Sequence, residues 1–300
     1  MKVKAKSINV FGKTIAPYMY LSPTIALMLV LLVIPIGMVI YYSFFDNVII
    51  NDSPQFVGLA NFISILSDSA FWSAVRNTSF FVGFSVLFHF ILGMTFALLL
   101  NTSYFGARTK GIFRVLYVLP WMFTASVIAI LWRLMLNPNG IVNYYLMEVF
   151  SITADRIEWL GSRQFALIAI TFINIWAGYP FFMISILAGL QGISNDLYEA
   201  AAIDGAGSVK QFLNITIPSL KPILISLLML DFVWTIQQFA LIWMTTGGGP
   251  AGSTETLSTL IFRQGFTRNQ FALASTTATI VLLVCTAVAI FYVKHQKARD

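Results

Sequence analysis

Six long apolar runs divide this sequence, and they decide what it can fold into. They fall at 16–42, 80–100, 115–136, 165–190, 223–244 and 272–293. A helix needs about 20 apolar residues to cross the roughly 30 Å hydrocarbon core of a bilayer. In lipid every backbone polar group must be satisfied internally, which leaves helices or closed barrels. The runs are continuous rather than alternating, so the expected fold is an all-α membrane protein with about six transmembrane helices. Composition agrees: 58% of residues are hydrophobic and 10% charged, against roughly 25% charged in a soluble domain.

The basic residues set the expected orientation. Lys2, Lys4, Lys6 and Lys13 precede the first run. Arg108, Lys110 and Arg114 lie between the second and third, and Lys210 and Lys221 between the fourth and fifth. Lys294, Lys297 and Arg299 follow the sixth. The opposite side carries Arg76, Arg156, Arg163, Arg263 and Arg268. Positive residues favour the cytoplasmic side, so both termini are expected there, with a tail at 1–15, a membrane domain at 16–293 and a tail at 294–300. The first run resembles a signal peptide in its basic start, but it is too long and ends without a small-residue cleavage site. It is expected to remain as an anchor. The basic residues do not gather on one segment, so the net charge of +6 does not point to nucleic acid.

The segment 195–218 reads as two short helices joined at a glycine corner. Asn195 or Asp196 can cap the first, whose interior is Leu197 to Ala202. Gly205 and Gly207 end it, since glycine readily takes the left-handed C-cap geometry. Ser208 can cap a second helix from Val209 to Leu213. Pro218 and Pro222 are expected to stop that pattern and launch the fifth span. One reading is an alanine-rich connector; the other is a docking unit whose small side chains let a partner surface come close.

The residues favour the second reading. Glu199-Ala200-Ala201, then Gly205, then Ile215-x-Ile217-Pro218 resembles the EAA loop of ABC importer permeases. The departure is Ile217, where that family commonly has Leu, a volume-conserving change. The resemblance continues through Phe56-Val-Gly-Leu-Ala-Asn-Phe62, Asn77-Thr78, Phe113-Arg114 with Leu119-Pro120, and Asn137-Pro-Asn-Gly140. It extends to Ala188-Gly-Leu190, Thr246-Gly-Gly-Gly-Pro250 and Thr254-Glu-Thr256. Together they are similar to the carbohydrate subgroup, the maltose and glycerol-3-phosphate permeases.

This resemblance implies the type I ABC importer permease fold in the cytoplasmic (inner) membrane of a prokaryote. It implies pairing with a second homologous permease subunit, two copies of a cytoplasmic ATPase that carry ATP and Mg, and an extracytoplasmic solute-binding protein that delivers a sugar. Glu199, Ala200, Ala201, Gly205 and Pro218 match the motif and would couple to the ATPase. The chain has no Walker A pattern, so it is expected to bind no nucleotide and no cofactor of its own.

Polar residues inside the spans are the remaining candidates, because such groups usually face an interior. His89 and Asp231 lie at similar depth in the second and fifth runs. They either pair in a shared polar cavity or each face a partner subunit or water. Asp231, Trp234, Thr235 and Gln238 are spaced to share one helical face, and Gln237 points elsewhere. The fourth run adds Asn174 and Trp176, with a kink expected at Pro180. Asn174, Trp234 and Gln238 suit a sugar pathway, with a ring for an apolar sugar face and amides for hydroxyls. Interhelical packing by amides is the other reading. Arg133 is near a span end, within snorkelling reach, and is expected to be structural. Trp72, Tyr144, Tyr145 and Trp159 suit either an interfacial belt or a docking surface for a binding protein.

The rival class is an ion-coupled secondary transporter using Asp231 and His89. Such proteins usually carry more spans and an internal repeat, and neither is visible. No cluster of nucleophile, acid and base suggests an enzyme. A single cysteine, Cys285, and two distant histidines, His89 and His295, give no disulfide and no metal-ligand spacing.

Overall fold

The computed structural model describes residues 8–102 and 104–297. Of the basic residues that set the expected orientation, Lys2, Lys4, Lys6 and Arg299 lie outside the described residues. Helices α1 (Ile8–Met28) and α2 (Ile34–Tyr42) are joined by a π-helical stretch, Leu29–Val33. Short α3 (Ala60–Ser67) precedes the long α4 (Ser69–Asn101). Next come α5 (Ala107–Met122), α6 (Ala125–Met135), α7 (Ile141–Tyr144) and α8 (Ala166–Gln191). The chain continues with α9 (Asn195–Ile203), α10 (Ser208–Gln211), α11 (Ile217–Ile236), α12 (Ala240–Thr245), α13 (Leu257–Phe262) and α14 (Phe271–Lys297).

Among the described residues, five helical stretches are long and apolar enough to span a membrane: Tyr18–Tyr42, Ser69–Asn101, Ala166–Gln191, Ser208–Ile236 and Phe271–Lys294. The sixth is a broken pair, Ala107–Met122 and Ala125–Met135, bent by 98°. The expected uninterrupted span at 115–136 is therefore corrected. Pro120 lies near the end of α5, and Phe123 leaves the helical conformation. Thr124 then caps α6, its hydroxyl accepting the Val127 N–H at 3.4 Å.

The fifth span is also corrected, from 223–244 to Ser208–Ile236. The expected stop at Pro218 and Pro222 is absent. A π-helical stretch, Phe212–Thr216, joins α10 to α11, and the Ile217 N–H bonds to the Phe212 carbonyl. Pro218 sits at the start of α11, directly after that π-helical stretch. The other end stops at Gln237, and the chain re-enters a helix as α12. That turn buries Leu241 in a cluster with Ile128, Ala129 and Trp132, and Ile242 in one with Phe81 and Ile170.

Two compact units divide the chain. Of the described residues, the smaller comprises 8–67 and 263–280. Here Asn61 donates its amide to the carbonyls of Ser43 (3.0 Å) and Phe45 (2.8 Å), satisfying groups left open past the end of α2. The hydroxyl of Thr276 also reaches the Ser43 carbonyl, at 3.3 Å. The segment Phe56–Phe62 thus has a structural task within this unit.

Of the described residues, the larger unit comprises 68–102, 104–262 and 281–297. Asp68 caps α4 by accepting the Ala70 N–H at 2.9 Å. Along α4, Ala74, Thr78, Phe81, Ser85, His89, Gly93, Ala97 and Leu100 are buried at steps of three or four residues, the spacing of one helical face. Met94, Ala97 and Leu100 share a core with Phe182, Met183 and Ile186 of α8 and Leu220, Leu224 and Leu227 of α11. Gly93 permits close approach of α4 to α8, since a β-carbon there would overlap Phe182. Small residues play this part at membrane helix interfaces. Helix α8 is unbroken through Pro180.

Candidate functional site

Helices α4, α8 and α11 of the larger unit enclose a polar cavity of about 250 Å³. His89, Asn174, Gly178, Asp231, Trp234, Thr235 and Gln238 line it. Trp121, Phe123, Ala125 and Ile128, from the bend between α5 and α6, line it too.

His89 and Asp231 lie together in its wall. The imidazole Nδ1 is 2.8 Å from Asp231 Oδ2, and Nε2 is 3.0 Å from the Asn174 backbone carbonyl. A carbonyl only accepts, so Nε2 carries a hydrogen. The ring's Nδ1 faces the carboxyl group, so both ring nitrogens are engaged. The Thr235 hydroxyl donates to the other carboxyl oxygen at 3.3 Å. The two side chains are 2% and 9% exposed, which puts the pair inside the protein.

Space fixes the histidine as firmly as its bonds do. A β-carbon on Gly178 would overlap Nε2 and Cε1 of His89. Sequence reasoning gave Trp121 and Phe123 no role in the site, nor this glycine. Its neighbours drew notice only through Pro180, and a glycine's spatial role is visible only with the facing helix in place.

The side-chain amides of Asn174 and Gln238 make no hydrogen bond among the described residues. Trp234 and Trp121 are about half exposed, and each packs against Phe181, at centroid distances of 5.2 and 5.9 Å. Gln238 lies just past the end of α11, yet it reaches the same cavity as Asp231, Trp234 and Thr235. Its backbone carbonyl accepts the Ser258 hydroxyl at 2.8 Å. Gln237 is exposed. Trp176 packs edge-on against Trp132 at 5.4 Å rather than lining the cavity. Arg133 is exposed and reaches the Met244 carbonyl at 3.4 Å.

Scattered polar motifs converge beside α13. Asn77 donates to the carbonyls of Gly252 (3.1 Å) and Glu255 (3.0 Å). The Leu257 N–H donates to the Thr78 hydroxyl at 2.9 Å. Thr254 bonds to the Gly249 carbonyl and to Thr246, both at 2.7 Å. These contacts brace the segment that holds Ser258 against Gln238.

The segment 195–218 is built differently. Ser194, not Asn195 or Asp196, caps α9, accepting the Asp196 N–H at 3.3 Å. Gly205 has φ +76°. The Ala206 N–H bonds to the Ala201 carbonyl at 2.8 Å and the Gly205 N–H to Ala202 at 3.1 Å, a Schellman closure. Gly207, with extended backbone, takes the cap position of α10, and Ser208 is already helical. The Tyr198 hydroxyl meets Thr216 at 2.9 Å, and Gln211 donates to the Ala206 carbonyl at 3.0 Å. These three side chains fold the corner, and sequence reasoning missed them. Glu199, Ala200, Gly205 and Pro218 are exposed and Ala201 half-buried. Ile203 and Val209 are 88% and 72% exposed.

Residues 89–299 match a protein family described as binding-protein-dependent transport system inner membrane component. The trehalose/maltose transport system permease protein MalF of Thermococcus litoralis is 33% identical over 283 residues, covering 94% of each chain. The sn-glycerol-3-phosphate transport system permease protein UgpA of Escherichia coli is 30% identical over 297 residues, covering 97% of this chain and 98% of that one. Among solved structures, a chain of a bacterial ABC transporter involved in import of the acidic polysaccharide alginate superposes with a TM-score of 0.83 at 24% identity, covering 98% of this chain and 99% of that one. A bacterial alginate ABC transporter in complex with an alginate pentasaccharide-bound periplasmic protein gives a TM-score of 0.80 at 25% identity, covering 94% and 95%.

Proposed function

This chain belongs to the family of inner membrane components of binding-protein-dependent transport systems, and from that premise we propose that it forms half of the pathway of an ATP-driven importer of a sugar or sugar derivative. Its partners are a second homologous permease, two copies of a cytoplasmic ATPase that bind and hydrolyse ATP with Mg, and an extracytoplasmic solute-binding protein. Relatives that serve trehalose or maltose and glycerol-3-phosphate support the carbohydrate class.

One observation carries the mechanism. The helical stretch Ser208–Ile236 runs 29 residues without interruption, roughly 44 Å at 1.5 Å per residue. Its first turn belongs to the exposed corner, and its far end bears Asp231, Trp234 and Thr235 of the cavity. In this reading Glu199, Ala200, Ala201, Gly205 and Pro218 belong to the surface that meets the ATPase, on the cytoplasmic side with both termini. The small Ala200 and Ala201 admit a close partner surface. Exposed Ile203 and Val209 supply apolar contact, which drives association in water. When the ATPase subunits close on ATP, the corner moves and the helix carries that motion to the cavity wall. Asn174, Trp234 and Gln238 then meet the cargo as the wall shifts.

The ion-coupled alternative requires Asp231 and His89 to exchange protons or ions with water during transport. Both groups instead face each other, buried and hydrogen-bonded. The test is uptake by the reconstituted complex. Sugar entry that requires ATP and the binding protein is expected. Entry driven by a proton gradient, with this chain alone in the vesicle, would defeat the proposal.

A further inference from the structure

We propose that the cargo is an uncharged sugar, and that this chain's cavity selects against acidic ones. The inference rests on the sugar-pathway reading above. Among the described residues, no lysine or arginine lines the cavity. Its one group able to become a cation, His89, is already engaged by Asp231 on one ring nitrogen and by the Asn174 carbonyl on the other.

An acidic sugar would bring a carboxylate or phosphate beside Asp231 with no free counter-charge in this wall. Such a group loses its hydration on entering, and the described lining offers no lysine or arginine to replace it. A neutral sugar faces no such loss. Its hydroxyls both donate and accept, and so do the unpaired amides of Asn174 and Gln238. Its apolar ring faces match the indoles of Trp121 and Trp234, which flank Phe181. A chain of the same fold occurs in an importer of the acidic polysaccharide alginate, so the backbone leaves cargo charge open and the lining side chains must set it.

The test uses the intact complex of both permeases and the ATPase, first freed of the binding protein so that its selectivity is removed. The probes are a neutral glucose trisaccharide and the same trisaccharide oxidised at its terminal residue to a uronate. Wild-type complex is expected to retain the neutral probe at least about tenfold better. Gln238→Arg adds a free cation to this wall, and that preference is expected to shrink. Gln238→Glu is expected to widen it. Equal retention of both probes by the wild type overturns the proposal, since the second permease would then supply the missing cation. A preference unmoved in both variants, each assembled at normal yield, also overturns it, because charge would be read elsewhere. A complex that retains neither probe but carries a non-sugar solute overturns the sugar reading itself, and the selectivity proposal with it.

Discussion

Gly178 and Gly205 are both required, for opposite reasons. A β-carbon at Gly178 would run into the His89 ring. At Gly205 nothing lies within 4 Å of that position, but the backbone turns through φ +76°. The first glycine is a matter of space and belongs to a cavity whose buried His89–Asp231 pair is pinned by bonds on several sides. The second is a matter of torsion and belongs to an exposed corner held by a few side chains. The cavity is built to keep its geometry, and the corner to present a surface. In the proposed mechanism the helical stretch Ser208–Ile236 links the two regions.

The largest expected effect lies in the cavity. Asp231→Ala strands His89 in a buried site, and losing one partner of a buried pair costs about 3–5 kcal/mol. The double variant with His89→Ala should be less destabilised than the two single changes summed, and thermal unfolding of the purified complex would show that coupling. Additive losses would mean that the two side chains act separately. Gly178→Ala comes next: overfilling a packed interior costs about 1–3 kcal/mol. Combining it with His89→Ala, which vacates the overlapped space, should recover stability.

Effects at the corner should be smaller in stability and larger in assembly. Tyr198→Phe removes the bond to Thr216 and is expected to cost about 1 kcal/mol, seen as faster amide exchange across α9. Ile203→Asp touches an exposed side chain, so stability should stay within about 0.5 kcal/mol. Co-purification of the ATPase should nevertheless fall. A stable variant that retains the ATPase fully would place the contact elsewhere on the loop.

The sequence made the spans legible wherever a run was apolar throughout. The fourth, 165–190, became Ala166–Gln191 almost unchanged. The third and fifth misled because hydropathy does not register a bend. Residues 121–124 and 237–239 are apolar or lie between apolar neighbours, and the chain turns there to bury Leu241 and Ile242 against other helices. The depth argument put His89 and Asp231 level, since helix rise is regular enough to compare positions in two spans, but it left pairing and separate contacts both open; the 2.8 Å contact became visible only with the helices packed. Gly178, Trp121 and Phe123 were not legible, because their roles depend on which helix lies opposite. In the loop, Gly205 was readable from local backbone preference alone, whereas the Tyr198–Thr216 tie links positions on either side of the corner and becomes visible only once it folds.

The link between corner and cavity is tested most directly by sugar uptake with Gly205→Val and Gly205→Asn, each assembled with the ATPase, partner permease and binding protein. Asparagine tolerates the left-handed region, whereas a β-branched residue is strained there. The Val complex is expected to insert and hydrolyse ATP without importing sugar, and the Asn complex to retain most uptake. Wild-type uptake by the Val complex would contradict the transmission of force from this corner to the cavity.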